Sequence, residues 1–518
     1  MTSEEQPAPD GPRPPSTIEA LTPVVLLIVL IVLGTVLYGG DLVAGPIQVA
    51  LILCALVAGL IGVKNGHSTS DLGKAAANAI SMAIGAIFIL LAVGALIGTW
   101  NMSGTVATMV HLGIRFLDPN WFYLAAAIVC GGIALGIGSA WTVIGTIGVA
   151  LVAIASAIGV DPLITAGAVI SGSYFGDQIS PLSETTNLAP AVTGTDLYTH
   201  IKAMIPASTI SLLIALALYL LLGLNAEPAQ VFDPTAALAA IESVYYIGIL
   251  TLIPLVVVIA MAVRKVPATI AILTGALTGG LVAILLQPDV VLAFVDDPEL
   301  ATPLAMIKGV WSAMATGFVA DTGIPGLDAI VSGGGMESML GTIWLIISAL
   351  AFGGIMEYTG SLARLIEPFV RRAKNAKSMV ATAGVTAIGV NMVAADQYLA
   401  IVLSGRMFKQ RFSQMGIAPQ TLSKQIEESA TVTSPLIPWN SCGAYVSATL
   451  GVATFAYLPF CFFNLITPVV AFVFALAGRQ VEMIEEEPAE TPQSVRVHGV
   501  SDRDVKVIAE GTNASSEL

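Results

Sequence analysis

The sequence predicts an all-α polytopic membrane protein, built as two inverted-topology repeats of five crossings each, with re-entrant hairpins and discontinuous helices. Three observations carry that prediction: a composition suited to lipid, an internal register near 257 residues, and basic residues confined to alternate loops. Of 518 residues, 56% are hydrophobic and 11% charged, and mean hydropathy is +0.86. Soluble domains carry about 25% charged residues. The net charge of −14 lies outside the apolar runs: nine acids face three basic residues in 480–518, and Asp289, Asp296, Asp297 and Glu299 share one connector. Such a surface suits solvent, and no nucleic-acid partner is expected of it. Cys54, Cys130, Cys442 and Cys461 lie in or beside apolar runs, where a lone thiol acts as a small hydrophobe rather than part of a disulfide framework.

In chain order, residues 1–20 form a tail whose Glu4, Glu5 and Asp10 outnumber Arg13, a poor signal-peptide start, so the first span is expected to be retained. The first transmembrane repeat, 21–223, holds apolar runs at 21–40, 45–63, 75–97, 121–160, 161–177 and 203–223. An extracellular connector is expected at 224–243. The second repeat, 244–478, holds runs at 244–263, 267–287, 339–360, 378–405, 420–444 and 445–478, interrupted by an acidic, Gly-rich insert at 288–338. Residues 479–518 form an acidic cytoplasmic tail. Most runs have the ~20 residues that cross a ~30 Å hydrocarbon core. The run 378–405 is too long for one comfortable span and too short for two, with Asn391 and Asp396 in its middle. It reads as a re-entrant hairpin with a polar tip.

Sliding the chain by 257 residues sets Pro162 on Pro419 and Pro181 on Pro438, and pairs Ser139 with Asp396, Ser171 with Glu428 and Asp177 with Ser434. Each half thus offers a carboxylate where the other offers a hydroxyl. A slide of 256 sets Gly98 and Gly104 on Gly354 and Gly360. Charge placement gives the orientation, because Lys and Arg gather at cytoplasmic span ends. With the N-terminus inside, 121–160 is counted as a hairpin entered from outside and 378–405 as one entered from inside. Cytoplasmic loops then collect fifteen basic residues, Lys64, Lys74, Arg264, Lys265, Arg371 and Lys424 among them, and the outside keeps Arg115 and Lys308. Both termini fall in the cytoplasm. An odd number of crossings per half inverts the second half, the plan of secondary transporters with sites near the midplane.

Two stretches interrupt their helices. From Ser171 to Pro190 the chain reads SGSYFGDQISPLSETTNLAP, and from Glu427 to Gly443 it reads EESATVTSPLIPWNSCG. Pro181, Pro435 and Pro438 lack the amide hydrogen that a helix needs, so both helices must open there and free carbonyls to point inward. Opened backbone persists in a bilayer only where protein or a wet cavity surrounds it. A carboxylate near mid-membrane costs ~2.5 kcal/mol or more, which makes a functional role the default. Asp177, Asp396, Glu428 and Glu184 are therefore the candidate ion-binding and proton-exchanging residues, with Glu427 ranked beside Glu184. Ser180, Thr185, Asn187, Asn391, Thr431, Ser434 and Asn440 are the expected supporting shell, completing the coordination or steadying the opened backbone. Hard cations such as sodium take oxygen ligands, and sodium is assigned to Asp177 and Asp396. Burial raises a carboxylate's proton affinity, so protons compete with sodium for the same oxygens.

Other features are read structurally. His67, His111, His200 and His498 are expected in loops or the tail, most tryptophans in an interfacial belt, and Gly94, Gly98, Gly132 and Gly136 at close helix contacts. Glu357 is expected to pair with Arg364.

The stretch GSYFGDQISPLSETTNLAP resembles the hallmark segment of the NhaC family of sodium/proton antiporters, and the two-half layout over 21–478 resembles the wider ion-transporter superfamily. The resemblance implies exchange of sodium for protons, with a scaffold and a moving transport core. It also implies an alternative, sodium-coupled exchange of small organic acids such as malate and lactate, since some members do that. A cation channel ranks behind both. No enzyme is expected, as the chain has no H-E-x-x-H, G-x-S-x-G or G-x-x-x-x-G-K-[ST]. No cofactor is expected beyond the transported ions, the partner is the lipid bilayer of the cytoplasmic membrane, and a homodimer is left open.

Overall fold

A computed structural model describes residues 12–38, 45–225, 234–321, 328 and 331–484, without the side chains of 234–237. The chain up to Glu482 forms one unit, and 483–518 a second, of which residues 483 and 484 are described. The expected tails and connector thus lie partly outside the described residues, and His498 wholly so.

The elements of the first half follow from their apolar runs and stops. They are α1 (Thr17–Tyr38), α2 (Pro46–Lys64), α3 (Thr69–Met82), α4 (Ile84–Met102), α5 (Thr105–Phe116), α6 (Phe122–Ile137), α7 (Ala140–Ile158), α8 (Pro162–Gln178), α9 (Glu184–Thr193) and α10 (Leu197–Leu224). The run 75–97 is not one span: Ser68 caps α3 by accepting from the Asp71 amide, and the helix ends at Ala83 before α4 begins. After α11 (Pro234–Val244), α12 (Ile253–Val263) and α13 (Ala268–Leu286), the insert forms α14 (Pro288–Val295) and α15 (Thr302–Ala315). The remainder is α16 (Leu340–Tyr358), α17 (Ser361–Arg372), α18 (Ala376–Ala394), α19 (Gln397–Gln414), α20 (Pro419–Ile426), α21 (Ser441–Leu450) and α22 (Phe462–Ala477). Among the described residues, nine helices are long and apolar enough to cross a membrane, or up to eleven if each bent pair counts as one. Large apolar side chains on α1, α2, α10 and α13, among them Val25, Leu56, Leu213 and Leu281, face outward. Water would penalise that belt, and lipid does not. The chain is a multi-pass membrane protein.

The register recurs in the elements. Helices α4 and α16 each have 19 residues, and α5 and α17 each have 12. Each of the latter is preceded by a left-handed glycine, Gly104 or Gly360, at φ 72°. Left-handed Gly159 and Gly194 answer Gly416 and Gly451. Helix α6 stops at left-handed Gly138 and α18 at left-handed Ala395, and the next residue of each, Ser139 or Asp396, caps the following helix. The expected hairpin at 378–405 is accordingly a helix pair, α18 and α19, broken at Ala395–Asp396 and packed arm on arm.

Close packing concentrates where α6 meets α8. A Cβ on Gly172 would lie 2.1 Å from the Ala127 carbonyl oxygen, and one on Gly176 would lie 2.2 Å from that of Gly131. Small residues let two backbones touch in this way. The expected pair Gly132 and Gly136 has nothing within that reach, because it sits on another face of α6. Gly94 and Gly98 are tight, but against Gly335 and Ala313 of the insert, with the Gly335 amide donating to the Gly94 carbonyl at 2.6 Å.

Several side chains depart from expectation. Trp100 is buried and donates to the Gly275 carbonyl at 3.2 Å. His111 and His200 are buried in α5 and α10, paired with Glu242 and Ser423 at 2.8 Å. Arg364 pairs with Glu367 rather than Glu357. With Arg371 on its other side, it holds the Glu367 carboxyl below the usual carboxylate range.

Candidate ion-binding site

The helix breaks meet at one cavity of about 500 Å³. Each break is made locally. Helix α8 ends at Gln178, Pro181 occupies the turn, and the Ser183 hydroxyl restarts the chain as α9 by accepting from the Thr186 amide. In the second half α20 runs into a π-helical turn, Glu427–Thr431, followed by a short 3-10 turn at Ser434–Leu436. Asn440 then caps α21 by accepting from the Cys442 amide. Gly138–Ser139, Ser183, Asp396 and Ser441, one from each break, all line the cavity.

Two carboxylates are buried against it. Asp177, at the end of α8, lies toward the Ser183 hydroxyl and the Ala140 amide that begins α7. Asp396 takes the Ser441 hydroxyl at 2.8 Å on one oxygen and the Tyr398 and Leu399 amides at 2.9 and 3.1 Å on the other. Glu184 also lines the cavity but is exposed, and the Tyr398 hydroxyl donates to it at 2.8 Å. Lys265, in the turn between α12 and α13, is the one basic residue among the lining. The stacked rings of Trp141 and Tyr445, 4.1 Å between centroids, tie the two halves together beside it.

Of the expected supporting shell, Thr185 lines the cavity. The others in the main hold backbone. Ser180 donates to the Leu135 carbonyl at 2.9 Å, and Asn187 to those of Pro181 and Ser183. Asn391 donates to the Ala430 carbonyl at 2.8 Å and accepts from Asn440, and Ser434 donates to the Thr431 carbonyl. The carbonyls freed by the prolines therefore do not point unmet into the cavity. Asn464 takes that of Val432 and Tyr457 that of Pro435. Thr431 keeps its hydroxyl unpartnered beside Glu427.

Glu428 is not among the cavity lining; it is fully buried on the π turn, with Lys424 one turn earlier as its countercharge. Glu427, on the same turn, reaches toward the cavity side, where Thr185 and Asp177 neighbour it. Adjacent residues on a helix differ by about 100° in direction, and a π turn alters the phase again, so the ranking of Glu428 ahead of Glu427 in the sequence does not fix which of them turns toward the cavity.

One family model spans both helix breaks. A family model described as "Na+/H+ antiporter family" matches residues 15–186 and 172–479. The chain belongs to the Na+/H+ antiporter family. It is 34% identical over 431 residues to "Na(+)/H(+) antiporter NhaC" of Alkalihalophilus pseudofirmus, covering 83% of this chain and 90% of that one. It is likewise 34% identical over 492 residues to "Arginine/ornithine antiporter ArcD" of Halobacterium salinarum, covering 93% and 96%. Against "Malate-2H(+)/Na(+)-lactate antiporter" of Bacillus subtilis it is 31% identical over 436 residues, covering 84% and 90%. The family's proteins are transporters, and the expectation drawn from the Ser171–Pro190 stretch is met.

Proposed function

We propose that this antiporter exchanges sodium for protons across the cytoplasmic membrane by alternating access, with the cation held between Asp177 and Asp396. The observation that carries the reading is the meeting of both buried carboxylates at one cavity made by the helix breaks. Asp396 keeps donors on both oxygens, and Asp177 faces a hydroxyl and a helix-start amide. A cation entering there replaces water with fixed oxygens. Sodium or a proton neutralises the pair, which lets the core cross, while the empty charged site resists burial. The turn bearing Lys265 lies at the cavity. Taken with the gathering of basic residues on the cytoplasmic side, this supports an inward-facing state; inverted halves and cytoplasmic termini belong to the same reading.

The test is sodium-driven proton movement in proteoliposomes with an internal pH dye. Wild-type protein should give a saturable signal with sodium alone, and Asp177→Asn should abolish it. Normal flux in that variant would overturn the reading.

A second reading has its own observation. About 500 Å³ falls among pockets for small organic ligands, roughly 300–1,000 Å³. Asp177, Glu184 and Asp396 with Trp141 and Tyr398 along its wall suit a basic amino acid, the cargo named for the Halobacterium relative. Competition of arginine with sodium-driven flux would favour it. The organic-acid alternative gains less, because Lys265 alone faces three carboxylates.

A further inference from the structure

Helices α5 and α17 hold equivalent places in the two halves but not equivalent surroundings. In the 256-residue register Arg115 of α5 falls on Arg371 of α17. Helix α5 packs against α4, α7 and α11, and seven of its twelve residues are buried. Helix α17 packs against α1, α16 and α18, and only three of its twelve are buried. Its uncovered surface is two-sided. Leu362 and Ile366 are buried, while Phe369, on the same stripe at i, i+4, i+7 spacing, is 53% exposed. Arg364, Glu367 and Arg371 share the opposite face, and Glu367 pairs with both arginines. Arg372 and Lys374 come next, both exposed, and among the described residues neither has an ion pair or a side-chain hydrogen bond. The acids that open the neighbouring helices are already matched. Glu19 of α1 accepts from Arg13 and Lys64 at 2.9 Å each, and Asp71 of α3 pairs with Lys74 at 3.2 Å.

The position of α17 is fixed by the spans around it. It opens at left-handed Gly360, two residues past the end of the apolar span α16, and the span α18 begins at Ala376, just beyond its other end. Pro15, which leads into the span α1, lies against Gly360. The ~18 Å of a twelve-residue helix thus run at the level where three apolar spans begin or end, which is the membrane interface.

We propose that α17 is a binding site for the headgroup of an anionic phospholipid, with Arg372 and Lys374 on the phosphate and the Phe369 ring among the upper acyl chains. Two surplus positive charges without acids to meet them call for an anion, and Lys and Arg just outside a span draw anionic lipid. The planar guanidinium of Arg372 suits a phosphate oxygen pair. The exposed ring beside those charges is what separates a lipid from a free anion, because only a lipid brings apolar surface to cover it. The site is independent of the exchange reading. It bears on the moving parts all the same, since α17 leads directly into α18, and α18 ends at Ala395–Asp396 beside the cavity. A headgroup held by α17 fixes the depth at which that arm of the broken hairpin enters the membrane.

Native mass spectrometry of the full-length protein in uncharged detergent, titrated with phosphatidylglycerol or phosphatidylcholine, tests the site without any transport measurement. Wild-type protein should hold its tightest phosphatidylglycerol in preference to phosphatidylcholine, and added inorganic phosphate should not displace it. Arg372→Gln combined with Lys374→Gln should weaken that phosphatidylglycerol roughly 25-fold, about fivefold for each basic group near an anionic surface. Phe369→Ser should weaken it as well. Arg115→Gln combined with Lys308→Gln removes the same two charges elsewhere and should leave it unchanged. Undiminished binding by the α17 double variant overturns the proposal, and so do equal losses in the two double variants, which would mark a response to net charge. Equal retention of the two lipids overturns it too. Displacement by inorganic phosphate, or full affinity in Phe369→Ser, overturns the lipid and leaves a site for a free anion. Should the α17 double variant aggregate, Arg372→Gln alone should lose about fivefold, and full affinity there is equally fatal.

Discussion

Gly176 shows how much rests on one absent methyl group. Its Cα faces the Gly131 carbonyl so closely that a Cβ would need to sit 2.2 Å from the oxygen, and backbone cannot yield as a flexible side chain would. Gly176→Ala should cost about 1–3 kcal/mol, the usual range for overpacking, and lower the melting temperature in detergent. Gly132→Ala, with nothing within 4 Å, should leave it unchanged and serves as the control. At this scale the sequence was readable where chemistry forces a role and silent where geometry decides. Asp177 and Asp396 announced themselves as charges in apolar surroundings, and both line the cavity. Asn187 and Asn391 carry the same oxygen chemistry as a ligand, yet their contacts are with backbone. Nothing in residue type separates a ligand from a brace, because both are amides beside a break. Glu428 ranks ahead of Glu427 in the sequence, but the π turn that carries both sets their directions, and Glu428 is not among the cavity lining.

Among elements, the paired breaks at Gly138–Ser139 and Ala395–Asp396 invite a direct comparison. Both need a left-handed residue, but only the first half has glycine there; Ala395 adopts φ 58°. A side chain in that conformation costs about 1–2 kcal/mol, so Ala395→Gly should stabilise the protein by about 1 kcal/mol. Gly138→Ala should destabilise it by more than that, since its Cβ would also meet Leu182 at 2.6 Å. Thermal unfolding of both variants, read together, checks the pairing. The stops of most elements were legible because proline and glycine act locally. The break between α3 and α4 was not: Ala83 is an ordinary helix former, and no local signal marks it. In sequence the insert is only acidic and Gly-rich, whereas its glycines pack against the Gly94 and Gly98 backbone, a contact between segments more than 200 residues apart in sequence that no local pattern reveals.

Over the whole molecule, charge placement makes the strongest demand. By the basic-residue rule Lys265 is expected on the cytoplasmic side and Lys308 on the opposite one. The four native cysteines are buried, so single cysteines at these positions can be labelled against a quiet background. An impermeant maleimide should reach Lys265→Cys from the cytoplasmic side and Lys308→Cys from the opposite side. Labelling of both from one side would overturn that placement of the second half.

The helix interruptions themselves are stiff. Leu135, Pro181, Ala430, Thr431, Val432 and Pro435 each have their carbonyl held by a side chain. Bending at those points would break several bonds together, so they make poor joints. A motion that keeps those bonds displaces the interruptions together, as one piece. Mechanically, the interruptions are braced rather than hinged.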